Sequence, residues 1–279
     1  MRYGQGGDVN KTVLVFDSGV GGLSVYQEIR ALLPELRFIY AFDNAKFPYG
    51  ELAADELVSR CCSVIAAVMA RHAVDLVVVA CNTASTQVLP TLRHMLTIPV
   101  VGVVPAIKPA AAASHKQCIG LLATPATVQR SYTDELIQTF AAGTQVLRCG
   151  STELVIQAER KLAGLVVEQE VIERILRPWR EEEPVPDVIV LGCTHFPLLK
   201  EEIEAVLPGV RQVDSGSAIA RRVKQLVGGS VSVSRQSSMA YCTRKDETAE
   251  LLIPALQQRG LEVLLELDLQ AVPAPLSLT

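Results

Sequence analysis

Short apolar segments alternate with longer segments of helical periodicity along most of this chain, and this alternation is the strongest constraint on its fold. Apolar runs that predict buried strands lie at 12–17, 37–43, 74–81, 99–104, 118–124, 144–149 and 187–193. Between them, apolar residues recur at helical spacing, as in 23–33 and 51–72. Strands that helices separate pair in parallel, with helices on both faces of the sheet. The sequence therefore predicts an α/β protein.

The pattern restarts in the second half of the chain, which predicts two similar domains. A chain of 279 residues is long enough for two domains that each bury a core. The motif VDSG at 213–216 repeats the FDSG at 16–19, which indicates that the C-terminal segment returns to the first domain. Each domain is predicted to hold a mostly parallel sheet flanked by helices, with the active site in the cleft between them. The predicted boundaries are 1–103 with 213–279 for the first domain and 104–212 for the second.

Composition excludes several classes of protein. Hydrophobic residues make up 49% of the chain, the net charge is −4, and no run of lysines or arginines forms a basic stripe, which argues against nucleic acid or a membrane surface as a partner. The N-terminus lacks the apolar core of a signal peptide, and no run of 18 apolar residues predicts a membrane span. Seven cysteines without a CxxC pair argue against a disulfide framework or a multi-cysteine zinc site. We expect a cytoplasmic protein, with a frayed tail at 270–279.

Polar side chains follow several of the predicted strands at the point where each strand ends. In open parallel sheets, ligands bind beyond the carboxyl ends of the strands. If the two sheets face each other, these side chains converge on the cleft. The residues concerned are Asp17, Ser18, Cys81, Asn82, Thr83, Thr124, Cys193, Thr194 and His195.

The turn DSGVGG, at 17–22, opens a helix directly after a strand. Its backbone N–H groups suit a small carboxylate, whereas its three glycines equally suit tight packing of strand against helix. It does not match GxGxxG, because residue 24 is a serine, and the chain contains no P-loop. Nucleotide binding is therefore a weak interpretation, and the other two remain open.

Two cysteines occupy similar positions in the two halves. Cys81 lies in VVVACNTAST and Cys193 in VIVLGCTHFPLL, each after an apolar run and before a predicted helix. Helix N-termini and hydrogen-bond donors stabilise a thiolate, so we expect both thiols to have a pKa close to neutrality. The remaining cysteines are predicted to be small buried hydrophobes. They are Cys61, Cys62, Cys118, Cys149 and Cys242.

Two thiols suit a reaction that inverts a stereocentre. One ionised thiol removes the proton from a carbon next to a carboxylate, and the other, protonated, returns one to the opposite face. Other chemistries stay open. His195 could serve as the base of a cysteine hydrolase, and Cys81, Cys193 and His195 could hold zinc in a non-catalytic or redox protein. No lysine lies in a motif that marks a pyridoxal phosphate site.

Five motifs resemble those of glutamate racemases in the aspartate/glutamate racemase family. They are FDSGVGGLSV, FPYGE, ACNTAST, LGCTHFPLL and VDSG, in the family's order, and the resemblance covers about residues 12 to 260. FDNAKFPYGE, GLLATPATVQRSY and ILRPW are similar to the enterobacterial type. The resemblance implies an isomerase that interconverts L- and D-glutamate without pyridoxal phosphate, metal or flavin. It also implies a role in peptidoglycan biosynthesis, and so in cell-wall biogenesis and cell shape, because D-glutamate is a precursor.

The resemblance also implies roles for individual residues. Cys81 and Cys193 match the catalytic acid and base, Asp17 is expected to assist Cys81, and His195 to assist Cys193. Donors such as the Tyr49 hydroxyl are expected to hold the substrate's carboxylates. The matched substrate-binding positions are Asp17, Ser18, Tyr49, Gly50, Asn82, Thr83, Thr124, Glu159, Thr194 and His195.

Partners, too, follow from the resemblance. Members of the enterobacterial type are activated by a UDP-linked muramoyl-alanine precursor, and some members inhibit DNA gyrase. The expected assembly is a monomer or a homodimer. The nearest alternative function is aspartate racemisation, which uses the same two-thiol logic on a substrate that is one methylene shorter.

Overall fold

The computed structural model describes residues 11–228 and 237–269. Within these ranges the strands are β1 (Thr12–Asp17), β2 (Arg37–Phe42), β3 (Leu76–Val79), β4 (Val100–Gly102), β5 (Cys118–Ala123), β6 (Gln145–Gly150), β7 (Val188–Leu191), β8 (Arg211–Val213), β9 (Met239–Cys242) and β10 (Leu264–Glu266). The helices are α1 (Leu23–Leu32), α2 (Ala54–Met69), α3 (Asn82–Met95), α4 (Ile107–Ala113), α5 (Pro125–Val128), α6 (Ser131–Phe140), α7 (Glu153–Leu162), α8 (Gln169–Arg180), α9 (Lys200–Val206), α10 (Gly216–Val227), α11 (Glu247–Leu251) and α12 (Ile253–Gln258). Three 3₁₀ turns lie at Asn44–Lys46, Tyr49–Glu51 and Phe196–Leu199.

The strands form two sheets in which neighbouring strands run parallel. The first sheet has the order β10-β9-β2-β1-β3-β4, and the second has the order β6-β5-β7-β8. In the first sheet β1 is central, with Thr12 beside Arg37 of β2 and Val13 beside Leu76 of β3. The predicted α/β class, with mostly parallel sheets flanked by helices, is confirmed.

The core explains why the strands read as unbroken apolar runs. All six residues of β1 are buried, because helices cover both faces of the sheet. Val13 and Val15 pack on one face with residues of α1 and α10, while Leu14 and Phe16 pack on the other with residues of α2 and α3. A strand enclosed on both sides has no position for the alternate polar residues of a half-exposed strand.

Three features of the local structure differ from the sequence-based expectation. The sequence of 127–142 predicts a single helix, but the structure divides this region into α5 and α6, because Arg130 adopts an extended backbone conformation between them. The sequence of 247–260 also predicts one helix, which the structure divides into α11 and α12 at Leu252; Pro254, which has no N–H group, lies in the first turn of α12. The three-residue strand β10 was not predicted at all.

The order of the strands bears on the division into domains. The first sheet takes strands from 12–102 and 239–266, and the second takes strands from 118–213. Helix α10 packs against α1 on the first sheet. We retain 1–103 with 213–279, and 104–212, as the proposed domains; the tail at 270–279 lies outside the described residues. No helix in the described part of the chain has the length and apolar character needed to cross a membrane.

Candidate active site

A cleft lies where the carboxyl ends of the two sheets meet. It encloses about 410 Å³, including its opening to solvent. Its walls come from the segments that follow β1, β3, β5, β6 and β7, and from the loop around 47–50. Ten of its residues were predicted: Ser18, Tyr49, Gly50, Cys81, Asn82, Thr83, Thr124, Cys193, Thr194 and His195. The others are Phe47, Pro48, Thr152 and Val155.

Cys81 lies at the N-cap of α3, immediately beyond β3. The Ala84 N–H group donates to its Sγ atom at 3.4 Å, and the Ser18 hydroxyl lies 3.8 Å from the same sulfur. Only 6% of the residue is exposed. The apolar strand thus places a nearly enclosed thiol at the edge of the cleft, with one backbone donor and one serine hydroxyl beside the sulfur.

The expectation that this thiol has a pKa near neutrality is wrong. Burial, together with the nearby Asp17 carboxylate, raises the pKa of Cys81 to about 12, and the bonds from Ala84 and Ser18 offset only part of the effect. The sequence correctly indicated the donors at the helix N-terminus. It gave no measure of how far the two sheets exclude water from the sulfur, which is the larger effect.

The raised pKa of Cys81 makes the stability of the protein fall at alkaline pH. An unfolded cysteine loses its proton above its ordinary pKa of 9.0, whereas folded Cys81 keeps its proton up to about 12. Above pH 9 the folded state therefore binds more protons, and stability decreases as pH rises. We expect wild type to lose about 1.4 kcal/mol relative to Cys81→Ala between pH 8 and pH 10, measured by urea unfolding. If the difference in unfolding free energy between wild type and Cys81→Ala stayed constant with pH, this expectation would be contradicted.

Cys193 faces a histidine and a glutamate that form a relay. Its Sγ atom lies 3.6 Å from Nδ1 of His195, whose Nε2 atom lies 2.7 Å from Oε1 of Glu159. Burial lowers the pKa of His195, but the bonds to Cys193 and Glu159 outweigh burial and raise that pKa well above its ordinary value. Glu159 does not line the cleft, so the structure places it behind His195 rather than against a substrate.

Asp17 also lies one layer behind the cleft. It is fully buried, accepting from the Thr194 hydroxyl at 2.9 Å, the Gly19 N–H group at 3.1 Å and the Ser18 hydroxyl at 3.3 Å. Burial raises the pKa of Asp17. Its carboxylate thus orients the Ser18 and Thr194 side chains, both of which line the cleft.

Hydroxyl groups from both sheets meet at one side of the cleft. The Thr83 hydroxyl, on α3, lies 3.3 Å from that of Thr124 and 3.4 Å from that of Thr127. Thr124 and Thr127 are themselves 2.9 Å apart, and Thr127 was not among the predicted residues. We call Thr83, Thr124 and Thr127 the hydroxyl cluster. Next to it, the buried Oδ1 atom of Asn82 has no hydrogen-bond partner among the described residues.

The expected role of the Tyr49 hydroxyl is wrong. This group donates to Asp43 at 2.8 Å, so its proton is not available to a substrate carboxylate. Asp43 is fully buried and also accepts two bonds from Arg60, at 2.6 and 2.9 Å, and one from Thr243 at 2.6 Å. Tyr49 and Gly50 both line the cleft, and the Tyr49 hydroxyl is anchored to Asp43.

Removing the partner of this buried carboxylate should destabilise the fold. The variant Arg60→Met leaves Asp43 without its cation, and breaking such a buried pair costs about 3 kcal/mol. Arg174→Met is the matched control, because the Arg174–Glu153 pair is more than half exposed on both sides. Chemical denaturation should show a large decrease in the free energy of unfolding for Arg60→Met and no measurable change for Arg174→Met. Equal effects would contradict a dominant role for the buried pair.

The glycine turn at 17–22 binds carboxylates of the protein itself. The Val20 N–H group donates to Glu159 at 2.9 Å, and the Gly19 N–H group donates to Asp17. A Cβ atom on Gly21 would overlap the His195 ring and lie 2.6 Å from the Thr194 hydroxyl oxygen. Of the two interpretations left open, the structure favours close packing, with glycine required where the turn meets the second sheet.

Four residues of the cleft wall were not assigned by sequence reasoning. Phe47 and Pro48 lie in the FPYGE motif, next to positions that were assigned. Thr152 follows β6 and precedes α7, a strand-end position that could have identified it, whereas Val155 lies inside α7 and carries no such signal. The remaining five cysteines carry free thiols; four are buried as predicted, and Cys149 is intermediate. The described residues contain no group of three or more histidine, cysteine, aspartate or glutamate side chains suited to a metal.

Comparison with known proteins places the chain in a family. The sequence model for Asp/Glu/hydantoin racemases matches residues 13–223. The chain belongs to this family. It is therefore an amino-acid racemase, an isomerase. The family resemblance predicted from the five motifs is confirmed.

Individual family members are similar to this racemase over nearly its whole length. A glutamate racemase of Yersinia pseudotuberculosis serotype O:1b is 54% identical over 261 residues, covering 92% of this chain and 91% of the relative. One of Photorhabdus laumondii is 52% identical over 260 residues, covering 91% of each. The crystal structure of Escherichia coli glutamate racemase with L-glutamate and the activator UDP-MurNAc-Ala has a TM-score of 0.90 and 53% identity, covering 93% of this chain and 98% of the other.

Proposed function

We propose that this racemase interconverts L- and D-glutamate, with Cys81 and Cys193 as its two acid–base groups. One observation carries the proposal: the two thiols line the same cleft but come from different sheets. Relatives that are more than half identical are named glutamate racemases, which supports glutamate as the substrate. Only a substrate between the two sheets can present opposite faces of one carbon to both sulfurs.

The reaction needs one thiolate and one thiol. The thiolate takes the proton from the α-carbon, so that a C–H bond breaks and an S–H bond forms. The thiol on the opposite face then gives its proton to the same carbon, and its sulfur becomes the thiolate. Protons and charge balance, and the two sulfurs have exchanged their states. The reverse reaction starts from this exchanged state, and no step calls for pyridoxal phosphate or a metal.

The two sulfurs have different surroundings, from which we infer their starting states. The raised pKa of Cys81 keeps that thiol protonated, ready to act as the acid. We propose that Cys193 is the starting base, because Nδ1 of His195 lies 3.6 Å from its sulfur and can donate to a thiolate there. Environments that differ in this way give two like groups opposite roles.

The remaining predicted residues form two groups: those proposed to contact the substrate, and those proposed to support the two cysteines. We propose that Thr83 and Thr124 of the hydroxyl cluster, with the backbone at Ser18, Tyr49, Gly50 and Thr194, hold the two carboxylates, and that the unpartnered Asn82 Oδ1 atom accepts from the ammonium group. Asp17 supports Cys81 through Ser18, and Glu159 supports Cys193 through His195. These two carboxylates act from behind the cleft wall, where they do not repel the substrate at contact distance.

We also propose a regulatory ligand and a metabolic role for this racemase. The E. coli structure contains UDP-MurNAc-Ala as an activator, and we propose that the present racemase responds to the same class of ligand. Its product, D-glutamate, would then enter peptidoglycan biosynthesis. Turnover measured with and without UDP-MurNAc-Ala tests the response, and equal rates would refute it.

Deuterium exchange tests the proposed reaction directly. The purified protein is incubated with L-glutamate in D₂O, while optical rotation and α-deuterium are followed together. We expect rotation to disappear as deuterium enters the α-position. Exchange of aspartate but not glutamate would favour the alternative substrate within the same mechanism. No exchange of either amino acid, even with UDP-MurNAc-Ala present, would refute the proposal.

A further inference from the structure

Arg130 connects the two sheets beside the cleft. It lies between α5 and α6, in the segment that follows β5 of the second sheet, yet its guanidinium reaches α3, which follows β3 of the first sheet. It donates to the backbone carbonyl of Thr83 at 2.9 Å and to the hydroxyl of Thr86. With the Gln87 amide oxygen turned toward the guanidinium, a third acceptor lies at 2.7 Å. All three acceptors belong to α3.

The part of α3 that Arg130 holds is the part that builds the cleft. Cys81 caps the helix, Asn82 and Thr83 form its first turn, and all three line the cleft. On its other side, the Thr83 hydroxyl meets Thr124 from the second sheet. Arg130 and the hydroxyl contacts of Thr83 therefore hydrogen-bond this turn directly to the second sheet.

We propose that Arg130 is a positioning residue for the racemase, which holds the first turn of α3 against the second sheet before the substrate arrives. The proposal rests on the function assigned above, because it takes the turn to carry a catalytic thiol and a carboxylate contact. Arg130 does not line the cleft, so it acts through Thr83 and the helix. Substrate then binds a turn that is already ordered, and binding does not have to supply that ordering.

The geometry requires arginine in particular. A guanidinium presents several N–H groups in a fixed plane, which lets one half-buried side chain serve three acceptors along a helix. A lysine keeps the charge and can donate to one or two of them, but it lacks the planar fork. Arg130→Lys should therefore keep part, and not all, of the substrate affinity that is lost when a neutral residue replaces Arg130.

Steady-state kinetics test the proposal with Arg130→Met, Arg130→Lys and a control, Arg148→Met. Arg148 belongs to the second sheet, and among the described residues it bonds to Val128 and Asp134, which lie on the same side. We expect the KM for glutamate to rise about tenfold in Arg130→Met, the size expected when binding must order a few side chains. The lysine variant should lie between this value and wild type, and Arg148→Met should match wild type. A variant that merely reduced the folded fraction would lower the apparent kcat and leave KM unchanged.

Amide hydrogen exchange gives a second test that does not depend on racemisation. Amides in the first turn of α3 should lose protection in Arg130→Met but not in Arg148→Met. Unchanged protection at 83–87, or a KM for Arg130→Met within twofold of the control, would overturn the proposal. If wild type failed to racemise glutamate while Arg130→Met still lost amide protection relative to Arg148→Met, the proposed function would be wrong. The connection that Arg130 makes between the two sheets would then stand.

Discussion

Replacing either Cys81 or Cys193 by alanine is expected to lower racemisation by about 10³-fold or more in both directions. Each direction uses one sulfur as the base and the other as the acid, so neither direction can proceed with one of them. The remaining thiol can still remove a proton from the enantiomer that faces it and return a solvent deuteron to the same face. Exchange without inversion should therefore persist for only one enantiomer in each variant. The enantiomer that exchanges in Cys81→Ala should be the opposite of the one that exchanges in Cys193→Ala.

Deuterium incorporation into separated L- and D-glutamate, followed by NMR, distinguishes these outcomes. Cys149→Ala is the control, because Cys149 lies in β6 and does not line the cleft. It should retain wild-type activity, and unfolding curves should show all three variants folded. A single-cysteine variant that racemised glutamate at a near-normal rate, or that exchanged both enantiomers equally, would show that the two sulfurs do not serve opposite faces.

Replacing His195 by asparagine is expected to lower kcat/KM by about 10²-fold, because Cys193 loses the cation that stabilises its thiolate. Glu159→Gln should have a smaller effect and also move the pH profile. Since the bond to Glu159 helps raise the pKa of His195, removing the carboxylate lowers that pKa. His195 then loses its proton at lower pH, and the alkaline limb of the profile should move to lower pH. Mirror-image substrates are equally stable, so kcat/KM must fall equally in both directions.

The matched control for the glutamate variant lies on the same helix. Glu153 begins α7, is more than half exposed and pairs with Arg174, so Glu153→Gln removes a like charge without touching His195. Profiles of kcat/KM against pH should coincide for wild type and Glu153→Gln. Coincidence of the Glu159→Gln profile with these two would argue that Glu159 does not set the protonation of His195.

The sequence predicted the elements that a buried parallel sheet requires. Strands enclosed on both faces must be apolar throughout, so β1, β3, β5 and β7 were visible as unbroken runs. Because ligand-binding residues follow such strands, the two cysteines proposed as catalytic could be located from the same pattern. The strand β10 gave no such signal, since it has three residues and two of them are exposed.

Properties that depend on long-range contacts could not be predicted from the sequence. The Tyr49 hydroxyl meets Asp43, which in turn meets Arg60 and Thr243, and nothing in FPYGE indicates this partner. The pKa of Cys81 depends on how completely two sheets exclude water, which no local motif records. The contact of Arg130 with α3 joins segments more than forty residues apart and carries no motif.

The burial of Cys81 has a consequence for the enzyme when no substrate is bound. Peroxides oxidise thiolates far faster than thiols, and the first product, a sulfenic acid, leads on to irreversible forms. A cysteine that is 6% exposed and whose thiol has a pKa of about 12 holds its proton at physiological pH, so that little thiolate is available to oxidants. The burial that fits Cys81 for the proposed role of proton donor thus also protects this thiol from oxidation while no substrate is bound.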